Sequence, residues 1–431
     1  MRGRRMRSKG VYPVSLGCPK AQDDLEVLLA DLLSRGYLPV DDPDRADLIL
    51  VNTCAFLADA RSEADEVIAW AAGYRRAAGG GVRVLVTGCY PKYLRVVGGT
   101  IEGVDALLLP EEMRDPALIP VPEPPPNPPP IDRLRITPDH RAFLKIAEGC
   151  SNRCAYCLIP ALRGPFLPRA LDGITAEAGR LLAEGVKELT LTAQDPTAHP
   201  QLAALLEGID RLEGDFWVRL LYLHPAGIEG PILDLFGSLS HLVPYFDVPL
   251  QHFSPRVLAS MGRKGSALDL PGRMRDLARR HPDGGLRGTF IVGFPGETRQ
   301  DIDLLLTGIR SIPFDQAVVF PFSPQEGTVA ASLPGRLSPE EIGERVLEVQ
   351  EAIEEVCAAK AASRVGQVTM LLIEEEEEGG AVGRAPFQAA EIDGVVLVED
   401  AGALPAGSWC DVRITGGSDP ATLTATRIDR P

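Results

Sequence analysis

The stretch AFLKIAEGCSNRCAYC, residues 142–157, joins a strand-like apolar segment to three cysteines, Cys150, Cys154 and Cys157, spaced CxxxCxxC. A closed zinc site takes four ligands, and disulfides take pairs. Three thiols placed directly after a strand instead suit the carboxyl-terminal face of a β/α barrel, where catalytic groups collect. Thiolates are the usual protein ligands of iron–sulfur clusters, and a set of three leaves one cluster position open. The same spacing also admits zinc, with His140 or another residue as the fourth ligand.

Working outward, strands and helices alternate on both sides of this motif. Downstream, ELTLTA (188–193), WVRLLYL (217–223), YFDVPL (245–250), GTFIVG (288–293) and QAVVFP (316–321) join AFLKIA (142–147) as six strand candidates. Helical segments lie between most of them. Six βα units predict a partial (β/α)6 TIM-like barrel over residues 139–360. Its last helix opens on a capping box of Ser338, Pro339 and Glu341. That helix carries an apolar stripe of Ile342, Val346, Val349, Ile353 and Val356, which Cys357 continues.

Upstream, VYPVS (11–15), DLILVN (47–52) and VRVLVT (82–87) alternate with a leucine-striped helix and a helix over 56–78. They predict a parallel α/β sheet domain over 8–118. Cys18, Cys54 and Cys89 each follow one of its strands by one to three residues. In a parallel sheet such loops converge on one rim, so the three thiols are expected to meet. Buried cysteines also serve simply as packing groups, the role expected for Cys357 and Cys410. VPEPPPNPPP (121–130) marks a proline-rich linker over 119–138. Beyond 361, five short strand candidates separated by Gly, Pro and acidic turns predict a small antiparallel β-barrel over 361–431.

The chain of 431 residues carries a net charge of −16, which argues against a generic nucleic-acid binder. No apolar run is long enough to span a membrane, and no apolar segment follows the basic start MRGRRMRSKG. With eight cysteines in a large chain, thiol or metal chemistry in the cytoplasm is expected. Basic residues 2–9 read as a tail. Residues 361–431 hold five basic and twelve acidic side chains, among them Glu374 to Glu378. Such a domain repels RNA and attracts a basic protein.

CxxxCxxC with Tyr156 before its last cysteine resembles the radical S-adenosylmethionine (SAM) motif. The resemblance implies that Cys150, Cys154 and Cys157 hold a 4Fe-4S cluster whose fourth iron chelates SAM. Reductive cleavage of SAM then yields a 5′-deoxyadenosyl radical. SLGCPK, LVNTC and VTGC, ahead of FLKIAEGCSNRCAYCLIPALRG, are similar to the methylthiotransferases. In that family Cys18, Cys54 and Cys89 would hold a second 4Fe-4S cluster involved in sulfur insertion. LTAQD, RLLYLHP, PLQH, TFIVGFPGET and GRAPFQAAEIDG resemble the RimO branch in particular, whose terminal barrel is a TRAM domain. RimO enzymes methylthiolate the β-carbon of an aspartate in protein twelve of the small ribosomal subunit. The implied partners are that basic protein or the assembled subunit, a reductant and a sulfur donor, with no membrane and no tRNA.

The resemblance extends to Gly293 and Glu297 of GFPGE as cofactor contacts beside Tyr156, although a plain turn would equally explain the glycines. Gln194 joins them as a polar residue following a barrel strand at the catalytic face. Asp195 is a candidate at the catalytic face or a helix cap. His224 and His252 are candidates to face the substrate or to pack structurally. The pattern departs from the family at Ala21 and Leu25, in RGPFLPRA (163–170), and in the shortened AQDPTAHPQL (193–202). The alternative readings are a tRNA adenosine methylthiotransferase of the MiaB type and a non-catalytic cysteine–metal scaffold.

Overall fold

The computed structural model describes residues 9–77, 81–113, 133–399 and 402–428. Most of the basic tail and most of the proline-rich linker therefore lie outside the described residues. The amino-terminal unit comprises β1 (Lys9–Ser15), α1 (Pro19–Ser34), β2 (Tyr37–Pro39), β3 (Leu48–Thr53), α2 (Ala58–Ala77), β4 (Arg83–Gly88), α3 (Cys89–Val97) and β5 (Ala106–Leu107). Its sheet is parallel throughout, in the order β2-β1-β3-β4-β5. Both faces are covered, which explains the unbroken apolar run of β3. Leu48 and Leu50 pack with Leu25, Leu28, Leu29 and Leu32 of α1, while Ile49 and Val51 face Ala64, Ile68 and Ala71 of α2.

The middle unit begins with β6 (Arg141–Lys145), β7 (Ala147–Glu148), α4 (Ile159–Arg163), β8 (Leu167–Pro168), α5 (Leu171–Ala183) and β9 (Glu188–Thr192). It continues through α6 (Leu202–Asp210), β10 (Trp217–Leu220), α7 (Pro231–Leu235), β11 (Tyr245–Gln251), α8 (Pro255–Ser260) and α9 (Leu270–Arg280). It ends with β12 (Gly285–Val292), α10 (Arg299–Arg310), β13 (Gln316–Pro321) and α11 (Pro339–Ser363). All six expected barrel strands are present and parallel, as two three-stranded halves, β6-β9-β10 and β11-β12-β13. The halves adjoin where Leu223 N donates to Asp247 O and Asp247 Oδ2 accepts from Tyr222 N. Tyr222 has φ +63° there, a left-handed conformation that bends the chain out of the strand. The capping box of α11 forms as expected, with Glu341 N donating to Ser338 Oγ at 3.2 Å. Cys357 is buried in the core beneath it.

The terminal unit is a closed barrel of β14 (Val368–Glu377), β15 (Gly380–Arg384), β16 (Val395–Glu399), β17 (Trp409–Asp419) and β18 (Thr422–Arg427). Four of its five strand pairs are antiparallel as expected, and β16 with β18 is parallel. A ring of five strands cannot alternate direction all the way round, so one parallel pair is required. Cys410 is core here, and the acidic run extends β14 into a hairpin rather than forming a turn. The loop APFQAAEIDG (385–394) packs against the amino-terminal ends of the middle-barrel strands. Arg219 donates to Pro386 O at 2.7 Å, Tyr245 to Asp393 at 2.6 Å, and Arg364 stacks on Phe387.

The deepest contact across this seam is ionic. Glu188 on β9 accepts from Arg219 of β10 and Arg384 of β15, each at 2.6 Å, and all three are buried. Glu188 is desolvated, but the two guanidinium groups outweigh burial and hold its carboxyl at about 2, below the ordinary 4.5. A lowered carboxyl stabilises the fold fully above its unfolded value and loses that contribution as pH falls toward the folded one. Stability to urea should therefore decline between about pH 4.5 and about pH 2. Substituting Gln for Glu188 should flatten that part of the pH profile. Arg384→Met should lower the urea midpoint at pH 7 by the equivalent of about 3–5 kcal/mol, because it breaks a buried pair from one side.

Candidate cluster and cofactor site

β1, β3 and β4 are successive neighbours in the amino-terminal sheet, and each ends in one of the predicted cysteines. Neighbouring strands lie about 4.8 Å apart, so their loops open side by side. β1 and β3 also flank the point where the strand order reverses, the expected crevice for ligands in this topology. Cys18 occupies the N-cap of α1, where the backbone N–H groups of Lys20 and Ala21 favour a thiolate, and Cys89 opens the first turn of α3. Asn52 and Thr53 brace the three loops. Asn52 Nδ2 donates to Ala21 O at 2.9 Å, and Thr53 Oγ1 donates to Thr87 O at 2.6 Å while accepting from Tyr90 N. Gly88 has φ +91°, and a Cβ there would lie 2.3 Å from Thr53 O. Glycine thus lets β4 close against β3 directly before Cys89.

The departures at Ala21 and Leu25 lie in packing. Leu25 belongs to the apolar core, and Ala21 sits in tight space against Gly17.

The second thiol set follows β6. Cys150 N donates to Gly164 O, and Cys157 N to Cys154 O, which winds the loop back on itself. Asn152 N and Ile159 N each approach a cysteine sulfur, Cys150 and Cys157 respectively, at 3.4 Å. Asp195 supplies no cap to the following turn. Its carboxylate instead accepts from Asn152 at 2.7 Å and from Thr197 at 2.5 Å, anchoring the cysteine loop to the end of β9. Arg263 Nη1 lies 3.8 Å from Cys154 Sγ. Tyr156 is half-buried, and desolvation of its hydroxyl pushes it well above the ordinary range.

All eight cysteines are free thiols. Within each set of three, the thiols feel one another's charge. Burial chiefly raises Cys54, and Cys89 to about 11, with further increments from Cys18 in both cases. Burial likewise raises Cys150, and Cys157 to about 12, each pushed further by Cys154. Burial would also raise Cys18, but Lys20, Arg163 and backbone N–H groups outweigh it and pull the thiol below its ordinary value. Such sets suit a metal cluster, which deprotonates coordinating thiols outright. Among the described residues, no three His, Cys, Asp or Glu side chains close on one point as ligands of a single ion would. Three thiolates on a multi-iron cluster are spread more widely.

His140 is not the fourth ligand. It precedes β6 while Cys150 follows it, and its Nε2 lies 3.0 Å from Glu374 of the terminal barrel.

The mouth of the middle barrel holds buried polar atoms without protein partners, including Thr192 Oγ1, Gln194 Oε1, His224 Nε2 and Gln251 Oε1. Unpaired buried polar atoms are costly, and a polar ligand such as SAM would satisfy them. Gln251 has φ +72° at the end of β11, so backbone strain also collects at this rim. His224 Nδ1 accepts from Ala226 N, which leaves the proton on the unpartnered Nε2. Burial, with Arg263 and Lys264 nearby, lowers His224 to about 4, so the ring is neutral at physiological pH.

Glu297 is placed differently from Gln194. Its Oε1 accepts from Gly293 N at 3.0 Å and Arg345 at 2.6 Å, and its Oε2 lies 3.4 Å from His252 Nε2. Gly293 has φ +81°, and a Cβ there would strike Ile342. Glu297 and His252 therefore shape the loop after β12 from within it.

The residues not singled out in the sequence are Asn52, Thr53, Asn152, Arg163 and Arg263. Arg163 is the most central. It is buried at the end of α4, where its Nε meets Cys89 Sγ at 3.1 Å and its Nη1 meets Asp24 at 2.7 Å. Leu158 and Leu162, beside and within the same helix, insert into the apolar core of the amino-terminal unit.

Known proteins share this plan. The radical SAM superfamily profile matches residues 144–307, the TRAM domain profile matches 365–428, and the profile described as Uncharacterized protein family UPF0004 matches 10–105. The ribosomal protein uS12 methylthiotransferase RimO of Desulfosudis oleivorans is 38% identical over 95% of this chain and 98% of its own. That of Moorella thermoacetica is 38% identical over 94% and 96%. Among solved structures, the radical SAM methyltransferase TsrM of Kitasatospora setae, with tryptophan and a SAM analogue bound, shares the fold. Its TM-score is 0.50, at 17% identity over 72% of this chain and 73% of that one. With the three matched regions in this order and full-length similarity to these relatives, the chain belongs to the RimO family of radical SAM methylthiotransferases.

Proposed function

We propose that this chain adds a methylthio group to the β-carbon of an aspartate in ribosomal protein uS12. Cys150, Cys154 and Cys157 hold the 4Fe-4S cluster that binds SAM, and Cys18, Cys54 and Cys89 hold a second 4Fe-4S cluster that presents sulfur. One observation carries the reading. The helix that leaves Cys157 ends in Arg163, which contacts Cys89, so the two thiol sets are built around one shared element. When bound, the clusters and SAM supply electron transfer, hydrogen abstraction and sulfur.

The protein's own side chains hold the geometry. Asp195 fixes the cysteine loop through Asn152, while Arg263 sets a positive charge beside Cys154. Tyr156 packs between that loop and the barrel core. Gln194 and neutral His224 offer hydrogen bonds to SAM or substrate. Gly293 and Glu297 shape the loop expected to approach the adenosine.

The functional units are taken as 8–118, 139–360 and 361–431, joined by the linker 119–138. Glu375 to Glu378 are exposed on the terminal barrel, whereas Glu374 is committed to Arg384 and His140. The exposed carboxylates favour a basic ribosomal protein, free or in the assembled subunit, over tRNA. No described helix is long and apolar enough to cross a membrane. A cytoplasmic setting with a separate reductant and sulfur donor completes the reading.

Anaerobic reconstitution with iron and sulfide should load about eight irons per chain, as two 4Fe-4S clusters. Alanine at Cys150, Cys154 and Cys157 should leave about four and abolish release of 5′-deoxyadenosine from SAM. Alanine at Cys18, Cys54 and Cys89 should also leave about four, preserving SAM cleavage but not methylthiolation. A scaffold would bind zinc and cleave no SAM. In cells lacking the gene, mass spectrometry of the small ribosomal subunit should show loss of a methylthio increment on one aspartate of uS12. An unchanged uS12 with altered tRNA adenosines would favour the tRNA-modifying alternative.

A further inference from the structure

Arg163 makes a contact that ion pairing alone does not require. Its Nη1 meets Asp24 Oδ2 at 2.7 Å and Glu148 Oε2 at 3.5 Å, which satisfies the charge. Its Nε is aimed elsewhere, at Cys89 Sγ, 3.1 Å away. The same charge also acts on Cys18 and Cys54, so one buried cation serves all three amino-terminal thiols. That cation does not belong to the amino-terminal unit. It is delivered by α4, which begins two residues after Cys157 and packs Leu162 into the amino-terminal core. On the other thiol set the cation stands farther off, with Arg263 Nη1 3.8 Å from Cys154 Sγ.

We propose that Arg163 sets the reduction potential of the cluster held by Cys18, Cys54 and Cys89, and that Asp24 moderates its effect. The inference rests on the reading that these cysteines hold a 4Fe-4S cluster. One-electron reduction, by the reductant that serves the enzyme, adds one negative charge to the cluster and requires no proton. A buried cation hydrogen-bonded to a ligand sulfur stabilises the reduced form and raises the potential. A carboxylate behind the cation opposes it. Arg163 is thus a positioning and tuning residue, and it couples the sulfur-presenting site to the helix that leaves the SAM-binding motif.

The test uses the full chain with alanine at Cys150, Cys154 and Cys157, so that a single cluster remains. It is reconstituted anaerobically and titrated by electron paramagnetic resonance. Arg163→Gln should lower the midpoint potential, Arg163→Lys should recover part of the shift, and Asp24→Asn should move it upward. If Arg163→Gln fails to take up iron, the sign of the Asp24→Asn shift decides, and a downward or absent shift overturns the proposal. A cluster whose midpoint ignores both positions overturns the inference alone. A parent variant that takes up no cluster overturns the underlying reading of Cys18, Cys54 and Cys89 as well.

Discussion

Beneath the two cysteine loops, charges from two structural units are taken out of water together. Asp23, Asp24 and Glu26 on α1 meet Lys145 of β6, Arg163 of α4 and Arg133 of the segment leading into the barrel. Removing any one of these ions from water unpaired would cost several kcal/mol. Burial alone would raise Asp24, yet Lys145 and Arg163 outweigh it and hold the carboxyl at about 2. The adjacent Asp23 is raised by burial despite Lys145 and Arg133. Neither unit can bury its half of this network alone, so the charge balance requires docking, and docking sets one thiol group over the other.

The same seam explains how residues far apart in sequence act together. Lys20, two positions after Cys18, lies over the ring of Tyr222 at 3.9 Å, so the first cysteine loop also leans on the mouth of the middle barrel. Tyr222 and Gln251 are held in left-handed backbone conformations at that mouth, with unpaired buried polar atoms around them. Strain and unsatisfied polarity concentrate where a ligand would relieve them. At the opposite end the terminal barrel covers the amino-terminal ends of the strands, with Arg384 on Glu188, Asp393 on Tyr245 and Phe387 against Arg364. GRAPFQAAEIDG is therefore a sealing segment, and the surface acidity lies beyond it, on the β14–β15 hairpin.

Much of this was legible in the chain before folding was considered. The period of the apolar residues specifies six barrel strands, three amino-terminal strands and the capped α11, because those patterns follow from local geometry. The cysteine spacings and their positions after strands specify two thiol sets, because a parallel sheet opens all its strand ends on one rim. The sequence could not assign His140. Its place in line beside the cysteine motif hid the fact that a whole strand separates them. Nor could it show that Asp195 anchors Asn152 rather than capping a turn, since that depends on which loop faces the end of β9.

The sequence by itself thus determined the order of the three units, the thiol sets and the kind of chemistry, since these rest on periodicity and spacing within short stretches. The tertiary structure alone decided that α4 belongs to both units, that Arg163 reaches Cys89 across 74 positions, and that Glu188 is balanced by a cation 196 positions away. Such pairings depend on where desolvated charges meet after the chain has packed, and no local pattern encodes that meeting.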